Sequence, residues 1–169
     1  MTPRRPDTTM PNRQLFVEVL VAEREAFAAF LDLLQAESAA LLRADVDGLM
    51  DLASRKLGVV ETLSELGRKR RRQLVDDGFA ADAMGMTEWL LVHAGNDHAT
   101  LSRVWKDLQG TARAARDLNR SNGVLIESRL RFNQGALSAL RAAMQQSTLY
   151  GPDGSPDFDG HSSRELGLA

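Results

Sequence analysis

Three long stretches of this chain repeat apolar residues at three- and four-residue steps, and no stretch alternates at the two-residue step of a strand. The first runs from Arg13 to Arg43, with Leu15, Val19, Ala22, Phe27, Phe30, Leu34 and Leu41 among its recurring positions. The second, Val46 to Asp76, reads Leu49, Leu52, Lys56, Val59, Leu63, Leu66, Arg70 and Leu74, close to a heptad. The third, Asp97 to Ser147, carries the seam Leu101, Trp105, Leu108, Ala112, Ala115, Asn119, Asn122, Ile126, Arg129, Asn133, Leu137, Leu140 and Met144. Helical spacing on this scale, in a chain with only 5% aromatic residues, predicts an all-α fold. The expected architecture is an elongated antiparallel helical hairpin with a third long helix against it. This is a three-to-four-helix, coiled-coil-like bundle with flexible termini.

Punctuation divides the chain. Pro3, Pro6 and Pro11 mark residues 1–12 as a disordered extension. Residues 13–147 form one helical domain, and 148–169, with the turn signature Gly151-Pro152-Asp153-Gly154, form a flexible tail. Asp45 is the expected N-cap of the second helix, and Gly78 its left-handed stop. The short joint between the first two helices makes them antiparallel. Gly58 and Gly67 each weaken the second helix by about 1 kcal/mol relative to alanine. Between Phe79 and Asn96 the pattern supports one short helix, Met86 to Ala94, ended by Gly95. Asp97 is the expected cap of the third long helix, with Gly123 as a point for a bend or break that the sequence leaves open.

The residue types for most chemistry are absent or misplaced. With no cysteine, disulfides, thiolate zinc sites and thiol catalysis are excluded. His93 and His98 lie five apart, about 140° around a helix, and so share no metal. No phosphate-binding glycine loop and no Ser/His/Asp grouping is evident. The expectation is a protein that is not an enzyme and takes no metal or cofactor. The net charge of −2 makes neither nucleic acid nor a membrane surface a general partner. Glu18 interrupts the first apolar stretch after Arg4 and Arg5, so no secretion signal is read. No apolar run approaches the roughly 18 residues of a membrane span. Arg68-Lys69-Arg70-Arg71-Arg72 is the one dense charge run. It reads as a solvated helix end favoured by the helix dipole, or as a surface for an anionic partner.

Asn119, Asn122 and Asn133 are expected on one helical face where a packed helix would place aliphatic residues. Buried asparagine fixes register in coiled coils. The competing reading is a face kept polar because a partner helix adds to it. Beyond them Ile126, Leu130, Leu137, Leu140 and Met144 continue the apolar stripe past the reach of the first two helices.

The segment Leu118-Asn119-x-x-Asn122-Gly123-x-Leu125-Ile126 resembles the signature of the FlgN family of flagellar export chaperones. So does Thr148-Leu149-Tyr150-Gly151-Pro152-Asp153-Gly154 after it. Leu33-Leu34-x-x-Glu37, Leu41 with Asp47, Lys56 with Leu63, and the terminal Ser163 to Ala169 resemble other parts of the family. The resemblance covers residues 25–169. The extension before Leu15 and the enlarged connector Ala80–Asn96 depart from it.

The resemblance implies a cytoplasmic chaperone whose clients are the hook–filament junction proteins, held before type III export. Amphipathic client helices would be taken up by helix-in-groove recognition. The client site is expected at Asn122, Ile126, Leu130, Asn133, Leu137, Leu140 and Met144. The resemblance also assigns docking on the export gate's cytoplasmic domain to Tyr150. Direct membrane insertion is not expected, and the same seams would permit a homo-oligomer. The alternatives are a structural or adaptor coiled coil of the export apparatus and a histidine phosphotransfer bundle using His93.

Overall fold

A computed structural model of the protein describes residues 9–148, with side chains over 12–145. The described residues form α1 (Thr9–Arg43), α2 (Val46–Asp76), α3 (Ala83–His93), a 3-10 turn (Gly95–Asp97) and α4 (His98–Thr148), with no strand. They belong to two compact units, Met1–Leu125 and Ile126–Ala169.

In the first unit α1 and α2 form the expected hairpin. α1 starts at Thr9, ahead of the expected Arg13. Pro11 is tolerated there because a helix's first turn has no intrahelical use for its N–H. The joint is closed by backbone bonds from Ala44 N to Leu41 O at 3.3 Å and from Asp45 N to Ala40 O at 3.1 Å. Ala44 takes a left-handed φ of 58° to make them, a conformation glycine adopts at lower cost. Asp45 then caps α2 as expected, its Oδ1 accepting from Gly48 N at 2.9 Å. Gly78, at φ 86°, stops the helix.

Two ion pairs define the hairpin's register. Glu23 meets Arg70 and Glu37 meets Lys56, fourteen residues apart on each helix and in opposite directions. Two heptads on α1 therefore run against two on α2.

The connector is more ordered than its sequence pattern suggests. Asp82 caps α3 by accepting from Gly85 N at 2.9 Å. A Cβ on Gly85 would collide with the Ala80 carbonyl, so only glycine lets the loop backbone lie against the first turn. α3 carries Met86, Trp89 and Leu90 into the main core. There they join Phe16 and Leu20 of α1, Leu74 of α2, and Leu101, Trp105 and Leu108 of α4. Phe16 and Trp89 sit 4.2 Å apart between ring centroids, and Trp89 Nε1 donates to Asp77 Oδ2 at 2.7 Å. Arg13 caps the far end of α3, donating to the carbonyls of His93 and Ala94 at 2.8 and 2.9 Å and to Asp97 Oδ2 at 2.7 Å. A cation suits carbonyls at a helix C-terminus. Asp97 is thereby engaged by Arg13, and α4 follows the 3-10 turn from His98.

Helical backbone continues through Gly123 without a break. In the second unit, helix covers residues 126–148. From Ile126 to Gln145 every described side chain except that of Arg129 is exposed. The expected tail mobility over 155–169 and the docking role of Tyr150 lie outside the described residues. Among the described residues no helix is long and apolar enough to cross a membrane.

Candidate functional site

The polar residues that interrupt the helical seams find partners across the first unit. Lys56 and Arg70 stand at positions of the α2 heptad where aliphatic residues would be ordinary. Each answers a carboxylate on α1. Arg70 Nε reaches Glu23 Oε2 at 2.7 Å, and Arg70 Nη2 reaches Oε1 at 3.3 Å. The guanidinium also lies over the Trp105 ring, 5.0 Å from its centroid, a cation–π contact that a flat delocalised cation makes well. Glu23 is only 3% exposed. Gly67 lets it approach, since a Cβ there would stand 3.3 Å from Glu23 Oε1. The helix weakness expected at Gly67 therefore has a packing reason.

The second cluster joins three helices. Lys56 Nζ donates to both oxygens of Glu37, at 2.9 and 3.0 Å. Asn122 of α4, 1% exposed, donates through Nδ2 to Glu37 Oε2 and to the Leu34 carbonyl, each at 2.8 Å. Two acceptors on one side set the amide orientation, because the flipped form would face oxygen to oxygen. Asn122 Oδ1 is buried with no hydrogen-bond partner among the described residues, at a cost of about 1–3 kcal/mol. A side chain kept at that cost specifies where α4 sits on the hairpin.

The placement of Asn122 on a client-facing surface is thereby corrected: it lies in the intramolecular seam, held by Leu34 and Glu37. Of the three asparagines expected on one helical face, Asn122 is buried whereas Asn119 and Asn133 are exposed. After Ala115 the seam follows Leu118, Asn122 and Leu125, which are half-buried or buried. Leu118 gains from the inward position, whereas Asn119 keeps its amide in water. Replacing Asn122 by Asp should destabilise the protein by about 3 kcal/mol or more, since a second carboxylate would face Glu37 and the Leu34 carbonyl. Replacement by Leu, which withdraws the donor from Glu37 and the Leu34 carbonyl but adds no charge, should cost less, about 1–3 kcal/mol. Urea unfolding of the two variants checks this, and an Asp variant as stable as the Leu variant would contradict it.

The remaining candidate residues stand on the surface of α4 in the second unit. Ile126, Leu130, Leu137, Leu140 and Met144 are all exposed, Leu137 at 54% and Leu140 at 59%. At 100° per residue they and Asn133 fall within about 80° of arc, a single stripe. Phe132, 77% exposed, was not selected by sequence reasoning. It lies off the seam, so periodicity passes over it, and only its aromatic character signals it.

His93 is half-buried and packs as an aromatic. Its ring stacks on Trp89 at 5.4 Å and meets the Phe79 edge at 5.6 Å. Those contacts account for its placement without a phosphate-accepting role.

A profile of the family described as FlgN protein matches residues 10–157. The chain belongs to the FlgN family. FlgN-family membership implies a flagellar export chaperone that binds flagellar substrate proteins. The matched span includes both polar clusters and the whole exposed stripe. Comparisons with curated proteins and with solved structures returned no match.

Proposed function

We propose that this FlgN-family protein is a non-enzymatic, cytoplasmic chaperone for hook–filament junction proteins, needing no metal or cofactor. It captures their amphipathic helical ends, keeps them from associating early, and delivers them to the type III export gate. The observation that carries the reading is the exposed α4 stripe of Ile126, Leu130, Leu137, Leu140 and Met144, with Asn133 within it. Each such side chain contributes about 1.5–3 kcal/mol when a partner helix covers it. Burial alone can hold a client, and dissociation releases it without nucleotide hydrolysis. Co-expression with each hook–filament junction protein, followed by affinity purification of this chain, tests the reading. Stable co-purification of at least one is expected. Recovery of export-apparatus components without any junction protein would point to an adaptor coiled coil.

Delivery rests on Tyr150 in this proposal. It is the chain's one tyrosine, next to Gly151-Pro152, where the chain's turning is restricted. An aromatic ring with a hydroxyl suits an interface anchor. Tyr150→Ala should leave client binding and thermal stability unchanged. Affinity for the gate's cytoplasmic domain should fall by roughly thirtyfold, about 2 kcal/mol. A variant that melts early, or loses its client and keeps the gate, would place Tyr150 in the fold or the client site instead.

A further inference from the structure

The arginine run at the end of α2 is not absorbed by client capture. Its five cations divide. Lys69 pairs with Glu65 at 2.8 Å, Arg72 with Asp76 at 3.8 Å, and Arg70 is turned inward to Glu23. The hydrogen bond and charge of Lys69 hold the Glu65 carboxyl below the usual range, with Arg68 adding to the effect. Arg68 and Arg71 are exposed, and neither is in an ion pair among the described residues. Both line one groove of about 1150 Å³ bounded by α1, α2 and the first part of α4. Arg113 reaches the same groove from α4, its Nε donating to the Gln109 carbonyl at 3.1 Å. Phe27, Phe30, Leu63 and Leu108, all half-buried or buried, line the same groove. Of the two carboxylates that line the groove, Glu23 is already matched by Arg70, which leaves Glu61.

We infer that this groove is a second docking site, separate from the α4 stripe, and that its occupant is an amphipathic helix of another protein with carboxylates flanking its apolar face. Charge complementarity selects that occupant. The three guanidiniums offer forked donors that match carboxylates in pairs, and the apolar residues of the same groove call for an apolar stripe. The volume exceeds the roughly 300–1,000 Å³ of small-molecule sites. A nucleic acid is disfavoured by the net charge of −2 and by Glu61 in the lining; of the aromatic residues there, Trp105 is buried with its ring under Arg70, and Phe27 and Phe30 are half-buried.

The test uses the full chain and a fluorescein-labelled helical peptide with leucine at its a and d positions and glutamate at the flanking e and g positions. A second peptide has glutamine for each glutamate. The glutamate peptide should bind more tightly than the glutamine peptide, and its affinity should fall with added salt. The double variant Arg68→Glu/Arg71→Glu, and separately Arg113→Glu on the other wall, should each weaken it by about tenfold or more. In the variant Leu137→Asp/Leu140→Asp, which removes the stripe, the preference for the glutamate peptide and its salt dependence should persist. Equal binding of the two peptides, indifference to both charge reversals, or loss of that preference in the Leu137/Leu140 variant would overturn the inference.

Discussion

Arg70→Ala should lower the stability of the first unit by about 3–5 kcal/mol, the cost of leaving one member of a buried ion pair alone. Glu23 is nearly inaccessible, and its carboxylate has Arg70 as its hydrogen-bonding cation. Removing the guanidinium leaves a desolvated charge beside Gly67 and also takes the cation from the Trp105 face. Against a total stability of about 5–15 kcal/mol for a domain, the loss is severe. The double replacement Glu23→Leu/Arg70→Met should recover most of it, because two apolar side chains of similar size need no compensation. Urea unfolding followed by circular dichroism, arranged as a double-mutant cycle, measures the coupling. A single variant within about 1 kcal/mol of the unaltered protein would show that the pair is not effectively buried. A double variant as unstable as the single would show that packing, not charge, is at stake.

This pair also shows what the amino-acid pattern could and could not convey. The heptad of α2 correctly puts Arg70 and Lys56 on the inward face, and Asp45 and Gly78 mark both ends of that helix, because caps and periodicity are local properties. Partners are not local. Glu23 lies 47 residues from Arg70, and the acceptors of Asn122 lie 85 and 88 residues away. The spacing of α1 does put Glu23 and Glu37 at three- and four-residue steps from Leu20, Phe27, Leu34 and Leu41, but it does not say which cation each one meets. The connector was underestimated for a similar reason. Met86, Trp89 and Leu90 are too few to establish a period, yet they supply part of the main core once Phe16 and Leu74 are beside them. Asn119 is exposed where the seam expected it, because Leu118 takes the inward position one residue earlier. The exposed stripe was legible because periodicity alone places its residues on one face of α4.

Leu137→Asp/Leu140→Asp should abolish client capture while leaving the free chaperone folded. Both side chains are already more than half exposed, so the unbound protein loses little packing. Surface substitutions of this kind cost within about 0.5 kcal/mol each, plus a few tenths for the poorer helix propensity of aspartate. The bound state loses far more. Two apolar anchors worth about 2 kcal/mol each disappear, and two carboxylates must give up water against the client's apolar stripe. A loss of about 4 kcal/mol or more is roughly a thousandfold in Kd, enough to remove the client from a pull-down. Phe132→Ala is the informative contrast. Phe132 is more exposed than either leucine, but it lies about 120° from the middle of the stripe. If capture depended on exposed apolar surface of any kind, its removal would matter as much. If the stripe is the site, Phe132→Ala should change affinity by less than about threefold, within the range of a peripheral contact. Isothermal titration against a hook–filament junction protein, with helicity measured on each free variant, separates these outcomes. Normal binding by the double aspartate variant would refute the stripe, and so would a Phe132 effect equal to that of the two leucines.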